Sequence, residues 1–182
     1  MKIYIFGASG SGVTTLGQTL SKQLAYPYYD ADDFYWIKTD PPFEQKVPFL
    51  ERQKNAIEAL CQHKNWVFGG SIVSWGDIIY DQFNLAVFLY VPTQIRMNRL
   101  QQREIDRYGP KVNNEPTKSK STAFLEWASH YDDPPESGWM GRSLFLHRQW
   151  MTKLSCPILD ISGEQTVDQR LQIIADHLAL RT

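Results

Sequence analysis

The chain has 182 residues, of which 42% are hydrophobic and 13% aromatic, enough apolar material to bury one sizeable core in a single domain spanning residues 1–182. Nineteen lysines and arginines stand against 20 acids, for a formal charge of −1, so no basic excess exists to hold a nucleic-acid backbone by counterion release. Cys61 and Cys156 lie far apart without a CxxC pattern, which argues against a disulfide framework or zinc site and suggests two core thiols in a reducing compartment. The apolar run at residues 3–6 is too short for a signal peptide or a membrane span, and a cytoplasmic location is expected.

Taken in order, Ile3 to Phe6 reads as a first strand, and Val13 to Leu24 as a helix opened by a glycine-rich loop. Tyr28-Tyr29 makes a short aromatic strand running into Asp30, Asp32 and Asp33. Pro48 to His63 reads as a helix, with Pro48 in its first turn and Leu50, Ile57, Leu60 and Cys61 on one face. Two further strands, Trp66 to Phe68 and Leu85 to Val91, end at Gly69-Gly70 and Pro92. Thr93 can cap a helix running to about Tyr108.

From Gly109 to Gly141 turn dipeptides interrupt the pattern, leaving a modest helix around Thr122 to His130. This polar insertion, about 110–141, is expected to be a lid. A last strand, Ile158 to Ile161, ends at Ser162-Gly163, and a helix from Thr166 repeats apolar residues at Val167, Leu171, Ile174 and Leu178. Near-continuous apolar strands alternating with helices predict a parallel α/β sheet covered on both faces.

The loop Gly7-Ala8-Ser9-Gly10-Ser11-Gly12-Val13-Thr14-Thr15 follows the first strand directly and opens the first helix. Its glycines let successive N–H groups turn inward as an anion nest, reinforced by the helix N-terminus, and phosphate is the natural guest. Against G-x-x-x-x-G-K-[ST], Gly7, Gly12 and Thr14 match while Val13 replaces the lysine. The amides of Gly10 to Thr15 can still cradle phosphates, and the Thr14 hydroxyl can ligate magnesium. Losing the lysine removes a charge clamp worth roughly 3–4 kcal/mol in comparable deletions, so another cation must compensate. A looser dinucleotide fingerprint, Gly7-x-x-Gly10-x-Gly12 with Asp30 following, offers a rival reading as an NAD(P)-binding Rossmann oxidoreductase.

With Asp30-x-Asp32 after the second strand, Gly69-Gly70-Ser71 after the third, the arginine-bearing segment after Val91-Pro92 and a closing strand ending Ser162-Gly163, the chain resembles the adenylate-kinase-like small kinases of the P-loop superfamily, including shikimate and gluconate kinases. The resemblance implies a three-layer α/β domain with a five-stranded parallel sheet in the order 2-3-1-4-5 and a lid between the fourth and fifth strands. It further implies ATP with Mg2+ as cofactors, Asp30 serving the metal and Asp32 the acceptor as a catalytic carboxylate. Ser9, Gly10, Ser11, Gly12, Val13, Thr14 and Thr15 would line the nucleotide, and Gly70, Ser71 and, more loosely, Asp77 would border an acceptor pocket. The acceptor signature Asp-Gly-x-Pro-Arg of adenylate kinases is absent, so adenosine monophosphate is not implied as substrate.

Arg96, Arg99, Arg103 and Arg107 are spaced three, four and four, which puts them in one stripe on the helix after the fourth strand. A solvated helix face would account for them. The resemblance instead implies that Arg99 stacks on adenine and Arg103 reaches phosphate, and gives Arg96 and Arg107 no role. For the missing lysine, Arg142 is the expected substitute, followed by Arg148, with Lys118 and Lys120 as alternatives. Phe34, Trp36 and Trp75 could wall the acceptor pocket. The expected function is ATP-dependent transfer of a phosphoryl group to a small acceptor; a catalytically weakened nucleotide-binding module is the alternative.

Overall fold

The computed structural model describes residues 1–40, 42–73, 75–76 and 82–180. Five strands form one parallel sheet: β1 (Lys2–Gly7), β2 (Tyr28–Asp30), β3 (Trp66–Gly69), β4 (Leu85–Tyr90) and β5 (Ile158–Ser162), in the order β2-β3-β1-β4-β5. This is the order the resemblance implied. It differs from the 3-2-1-4-5 order of dinucleotide-binding sheets, and the Rossmann reading falls with it.

Strand side chains alternate between faces, and here alternation separates two kinds of core. Tyr4, Phe6, Trp66, Phe68 and Phe88 point to one side, where Ala56 and Leu60 of α3 (Phe49–Cys61) and Trp150 of α6 (Leu144–Met151) cover them. Ile3, Ile5, Val67, Val87 and Leu89 point to the other, under Leu16 and Leu20 of α1 (Val13–Leu24) and Leu171 and Ile174 of α7 (Val167–Ala179). One layer is aromatic and the other aliphatic. Thr166 closes the N-terminus of α7 with a capping box completed by Gln169.

Several local expectations are corrected. The buried face of α3 is Gln53, Ala56 and Leu60, whereas Leu50 is 76% exposed and Cys61 is exposed rather than a core thiol. Pro48 precedes α3 as its N-cap. In α4 (Thr93–Tyr108) Pro92 occupies the cap position; the Thr93 hydroxyl donates to Asp132 instead. The insertion helix α5 (Thr117–Ser129) begins five residues before Thr122 and packs, with the 3-10 turns Gly109–Asn113 and His130–Asp132, against α4. No described helix is long and apolar enough to cross a membrane.

Candidate active site

The loop between β1 and α1 lies at the carboxyl edge of the sheet, the place where ligands bind in open α/β folds. Gly10 and Gly12 adopt left-handed φ of 80° and 93°, so the chain turns sharply before α1 begins, a conformation glycine takes without strain. A Cβ on Gly7 would stand 2.4 Å from the Leu89 carbonyl oxygen, and this close approach locks the loop against β4. The loop forms one wall of a cavity of about 1010 Å³, which Ser9, Thr14 and Thr15 also line. Ser11 supplies only backbone to the loop: its side chain is fully buried and turned toward Gly7. Val13 reaches the cavity wall with its edge and packs in the aliphatic layer with the rest.

Two hard oxygen donors meet beside the loop. Thr14 Oγ1 donates to Asp30 Oδ2 at 3.1 Å, and Tyr28 OH donates to the same oxygen at 2.9 Å. The other carboxylate oxygen accepts from the Asp32 amide at 3.0 Å, so Asp30 caps the short helix α2 (Ala31–Tyr35) and is oriented from three sides. A hydroxyl and a carboxylate at this spacing suit magnesium, which prefers few protein oxygens alongside phosphate.

A second cavity of about 850 Å³ adjoins the first. Tyr35, Trp36, Trp75, Phe124 and Trp127 wall it, together with Lys46 and Lys120. Phe34 is not among its walls; it packs on the aromatic layer near Phe68. Asp32, Ser71, Arg103, Arg107 and Arg142 line both cavities and therefore mark their junction. Burial and the neighbouring Asp30 charge raise the pKa of the Asp32 carboxyl, while Arg142 and Arg103 draw it back down. Arg142 lies 5.4 Å from the Trp127 ring, and Arg103 stands 5.4 Å from the Phe124 ring, so both guanidiniums rest on aromatic faces of the insertion.

Ser71 is held by a buried chain of hydrogen bonds. Its Oγ lies 2.9 Å from His147 Nε2, and His147 Nδ1 lies 2.6 Å from Tyr131 OH. Burial, with the Arg142 charge adding to it, pushes the His147 pKa down to about 3, and burial raises that of Tyr131. A neutral imidazole facing a protonated phenol accepts at Nδ1 and donates from Nε2 to Ser71. The Ser71 hydroxyl proton is then free to point into the cavity junction.

The four arginines of α4 do share a stripe, and of the four only Arg96 is buried; Arg99, Arg103 and Arg107 are exposed along the wall of the first cavity. Arg96 is fully buried and binds Val91, Thr93, Ala128 and Asp132. Arg99 lines the first cavity and pairs with Glu164 at 3.4 Å. Arg107 pairs with Glu104 at 3.0 Å beneath the Phe43 ring. Arg148 is tied to Asp160 and lies over the Phe88 ring, outside both cavities. Lys118 is exposed and lines neither cavity, whereas Lys120 joins Glu44 across the mouth of the second. Gly70 lines the first cavity; Asp77 lies outside the described residues.

Two features have no counterpart in the motif reading. Residues 42–46 fold back along 36–40, with Trp36 bridged to Lys46 and Ile37 N–H donating to the Gln45 carbonyl, and they carry Phe43 over both cavities. The second is Arg170 of α7, which lines the first cavity and donates to the Ser11 carbonyl at 2.7 Å. Its position between Val167, Leu171 and Ile174, a charge inside an apolar stripe, was the available signal.

Known proteins fit this geometry. A family model described as an AAA domain matches residues 3–119. The uncharacterized protein YqaC of Bacillus subtilis (strain 168) is 40% identical over 178 residues, 97% of each chain. A shikimate kinase of Thermosynechococcus vestitus is 27% identical over 144 residues, covering 70% of this chain and 73% of the relative. Among solved structures, shikimate kinase from Aquifex aeolicus superposes with a TM-score of 0.55 at 18% identity, over 100% of this chain and 98% of the other. Deoxyadenosine kinase from M. mycoides, with products dCMP and dCDP bound, gives 0.55 at 14% identity over 98% and 99%; at such identities the likeness concerns the fold. Since the matched residues take in the glycine loop, both aspartates and the arginine helix, the chain belongs to this AAA-domain family, as a P-loop protein of the adenylate-kinase-like small-kinase class.

Proposed function

We propose that the chain transfers the terminal phosphoryl group of a nucleoside triphosphate, taken as its magnesium complex, to an anionic acceptor in the second cavity. The observation that carries this reading is the junction: Asp32, Ser71, Arg103 and Arg142 line both cavities, one beside the glycine loop and the other beside the aromatic wall. Phosphoryl transfer asks chiefly for positioning and charge neutralisation, and these residues supply both. Magnesium held by Thr14 and Asp30 would neutralise charge on the donor phosphates. Asp32 accepts the proton of the attacking acceptor oxygen as that oxygen bonds to phosphorus and the bond to the diphosphate breaks. Arg142 steadies the equatorial oxygens of the moving phosphoryl group, and Arg103 holds donor phosphate beside it.

The aromatic walls and the cations Lys46, Arg107 and Lys120 favour an acceptor with a flat face and negative charge. The name of the shikimate kinase relative offers one candidate to test. The insertion, about 110–141, acts as the lid: it brings Trp127 and Phe124 against Arg142 and Arg103, and Lys120 latches it to Glu44. A module that only binds nucleotide would not need Asp32 and two arginines at the junction. A panel of hydroxyl- and phosphate-bearing acceptors with γ-labelled ATP tests the reading: transfer to at least one is expected. Tight ATP binding without transfer to any, together with activity appearing in Val13→Lys, would replace it with the binding module. A cytoplasmic setting, where nucleoside triphosphate is available, suits this chemistry.

A further inference from the structure

Val13 leaves the loop without a side-chain cation on its inner side, since that residue is only 9% exposed and packs with Leu16, Leu171 and Ile174. On the α7 side the loop meets a cation of another origin. The Arg170 guanidinium comes from the first turn of α7, and a Cβ on Gly12 would be 3.0 Å from its Nη1. Nη1 is fixed by the Ser11 carbonyl. The residue is 2% exposed, yet Nε and Nη2 have no hydrogen-bond partner. Among the described residues no carboxylate pairs with it. The charge that acts on it is that of Arg99, and burial together with this like charge lowers its pKa.

A buried guanidinium with two unmet donors beside a second guanidinium is costly on its own. The arrangement becomes favourable when an anion with several acceptor oxygens reaches both, because guanidinium forks match phosphate. Both arginines line the cavity that the glycine loop walls.

We propose that Arg170, with Arg99 on the same cavity wall, forms a subsite for the phosphate chain of the donor nucleotide and supplies the positive charge that Val13 withholds. The inference rests on the donor reading of this cavity. It divides the lysine's work in two: Arg170 holds phosphate from the moment the nucleotide binds, and Arg142 acts at the junction when the phosphoryl group moves.

Calorimetric titration of a non-hydrolysable ATP analogue and of adenosine tests it on four proteins: wild type, Arg170→Gln, Arg170→Lys, and Val13→Lys combined with Arg170→Gln. Loss of one charge-assisted contact predicts analogue binding weaker by about 10–100-fold in Arg170→Gln, with adenosine binding unchanged and a shallower dependence on salt. Arg170→Lys, which keeps the charge but offers one nitrogen in place of the planar fork, should fall between. Val13→Lys should restore much of the loss in the double variant, which a purely structural role for Arg170 does not predict. Equal losses for analogue and adenosine, or a folded Arg170→Gln that binds the analogue like wild type, overturn the inference. Should Arg170→Gln fail to fold, Arg170→Lys decides the matter by the same ratio of analogue to adenosine affinity. A wild type that binds no nucleoside triphosphate overturns the donor reading first; analogue binding insensitive to Arg170 overturns this inference alone.

Discussion

Arg96 and Arg170 are both buried to 2% exposure or less, one in α4 and one in α7, and they are buried differently. Arg96 spends every nitrogen within the protein: Nε on the Val91 carbonyl at 3.0 Å, Nη1 on the Ala128 carbonyl at 3.3 Å, and Nη2 on Thr93 and Asp132 at 3.0 and 3.2 Å. It binds the end of β4 to the insertion and lies 4.9 Å from the Tyr131 ring. Arg170 spends one nitrogen on the Ser11 carbonyl and keeps two unpartnered. Satisfied burial holds a fold together; unsatisfied burial beside a cavity keeps binding capacity in reserve. Burial alone does not distinguish a structural charge from a working one, whereas the count of met donors does.

Substitution should separate the two most sharply in stability. Arg96→Met removes the cation from Asp132, leaving it only the Thr93 hydroxyl, and strands two backbone carbonyls; a broken buried pair of this kind costs roughly 4 kcal/mol. Arg170→Met removes two unmet donors together with the bond to the Ser11 carbonyl, and these opposing effects should leave stability within about 1 kcal/mol. Denaturant unfolding of both variants checks this, and similar losses would erase the distinction. Arg142, half-buried at the junction, belongs to neither type. Arg142→Ala is expected to lower turnover by about 10²–10³-fold while nucleotide affinity changes far less, because it acts mainly on the transition state. Arg103→Ala should instead raise the KM for nucleotide, and steady-state kinetics on the two variants sets them apart.

His147 extends the satisfied network and makes it sensitive to pH. Its folded pKa of about 3 lies below the ordinary 6.5, from burial first and the Arg142 charge second. The unfolded chain therefore binds the proton more readily. The stability gained from the neutral ring is complete above pH 6.5 and is lost as pH falls from there toward 3. Thermal melts across that window should show a slope that His147→Gln flattens. The smallest effect belongs to Tyr131→Phe, which removes the donor that fixes the His147 tautomer. Acceptor KM should rise about five-fold, roughly 1 kcal/mol, with the KM for nucleotide unchanged.

Much of this was legible in the chain itself. Short apolar runs marked all five strands, and the glycine loop announced its place because its spacing answers to backbone geometry. Arg96 was not legible: residues 96, 99, 103 and 107 read as one helical stripe, and nothing local says that an insertion of about thirty residues folds onto it. The fold-back of 42–46 along 36–40 was missed for a similar reason, since among the described residues it pairs over one bridge and carries no periodic signal. Leu50 and Cys61 were misplaced because apolar letters at helical spacing do not say which edge of the face the sheet covers. Arg170 left a trace, a charge on the apolar side of the last helix, and its meaning needed the loop opposite.

Gly17 in α1 and Gly69 at the end of β3 lie outside the proposed chemistry. A methyl on either would come within 2.4 Å of a Tyr28 side-chain atom. The two hydrogens in place of side chains form a slot for that phenol, and the phenol steadies the Asp30 oxygen turned toward Thr14. Given the proposed magnesium site at Thr14 and Asp30, an alanine in place of Gly17 or Gly69 would therefore disturb metal handling from within the scaffold. It should surface as a raised magnesium requirement in a protein whose every cavity-lining residue is intact, and a survey confined to the cavity would never sample it.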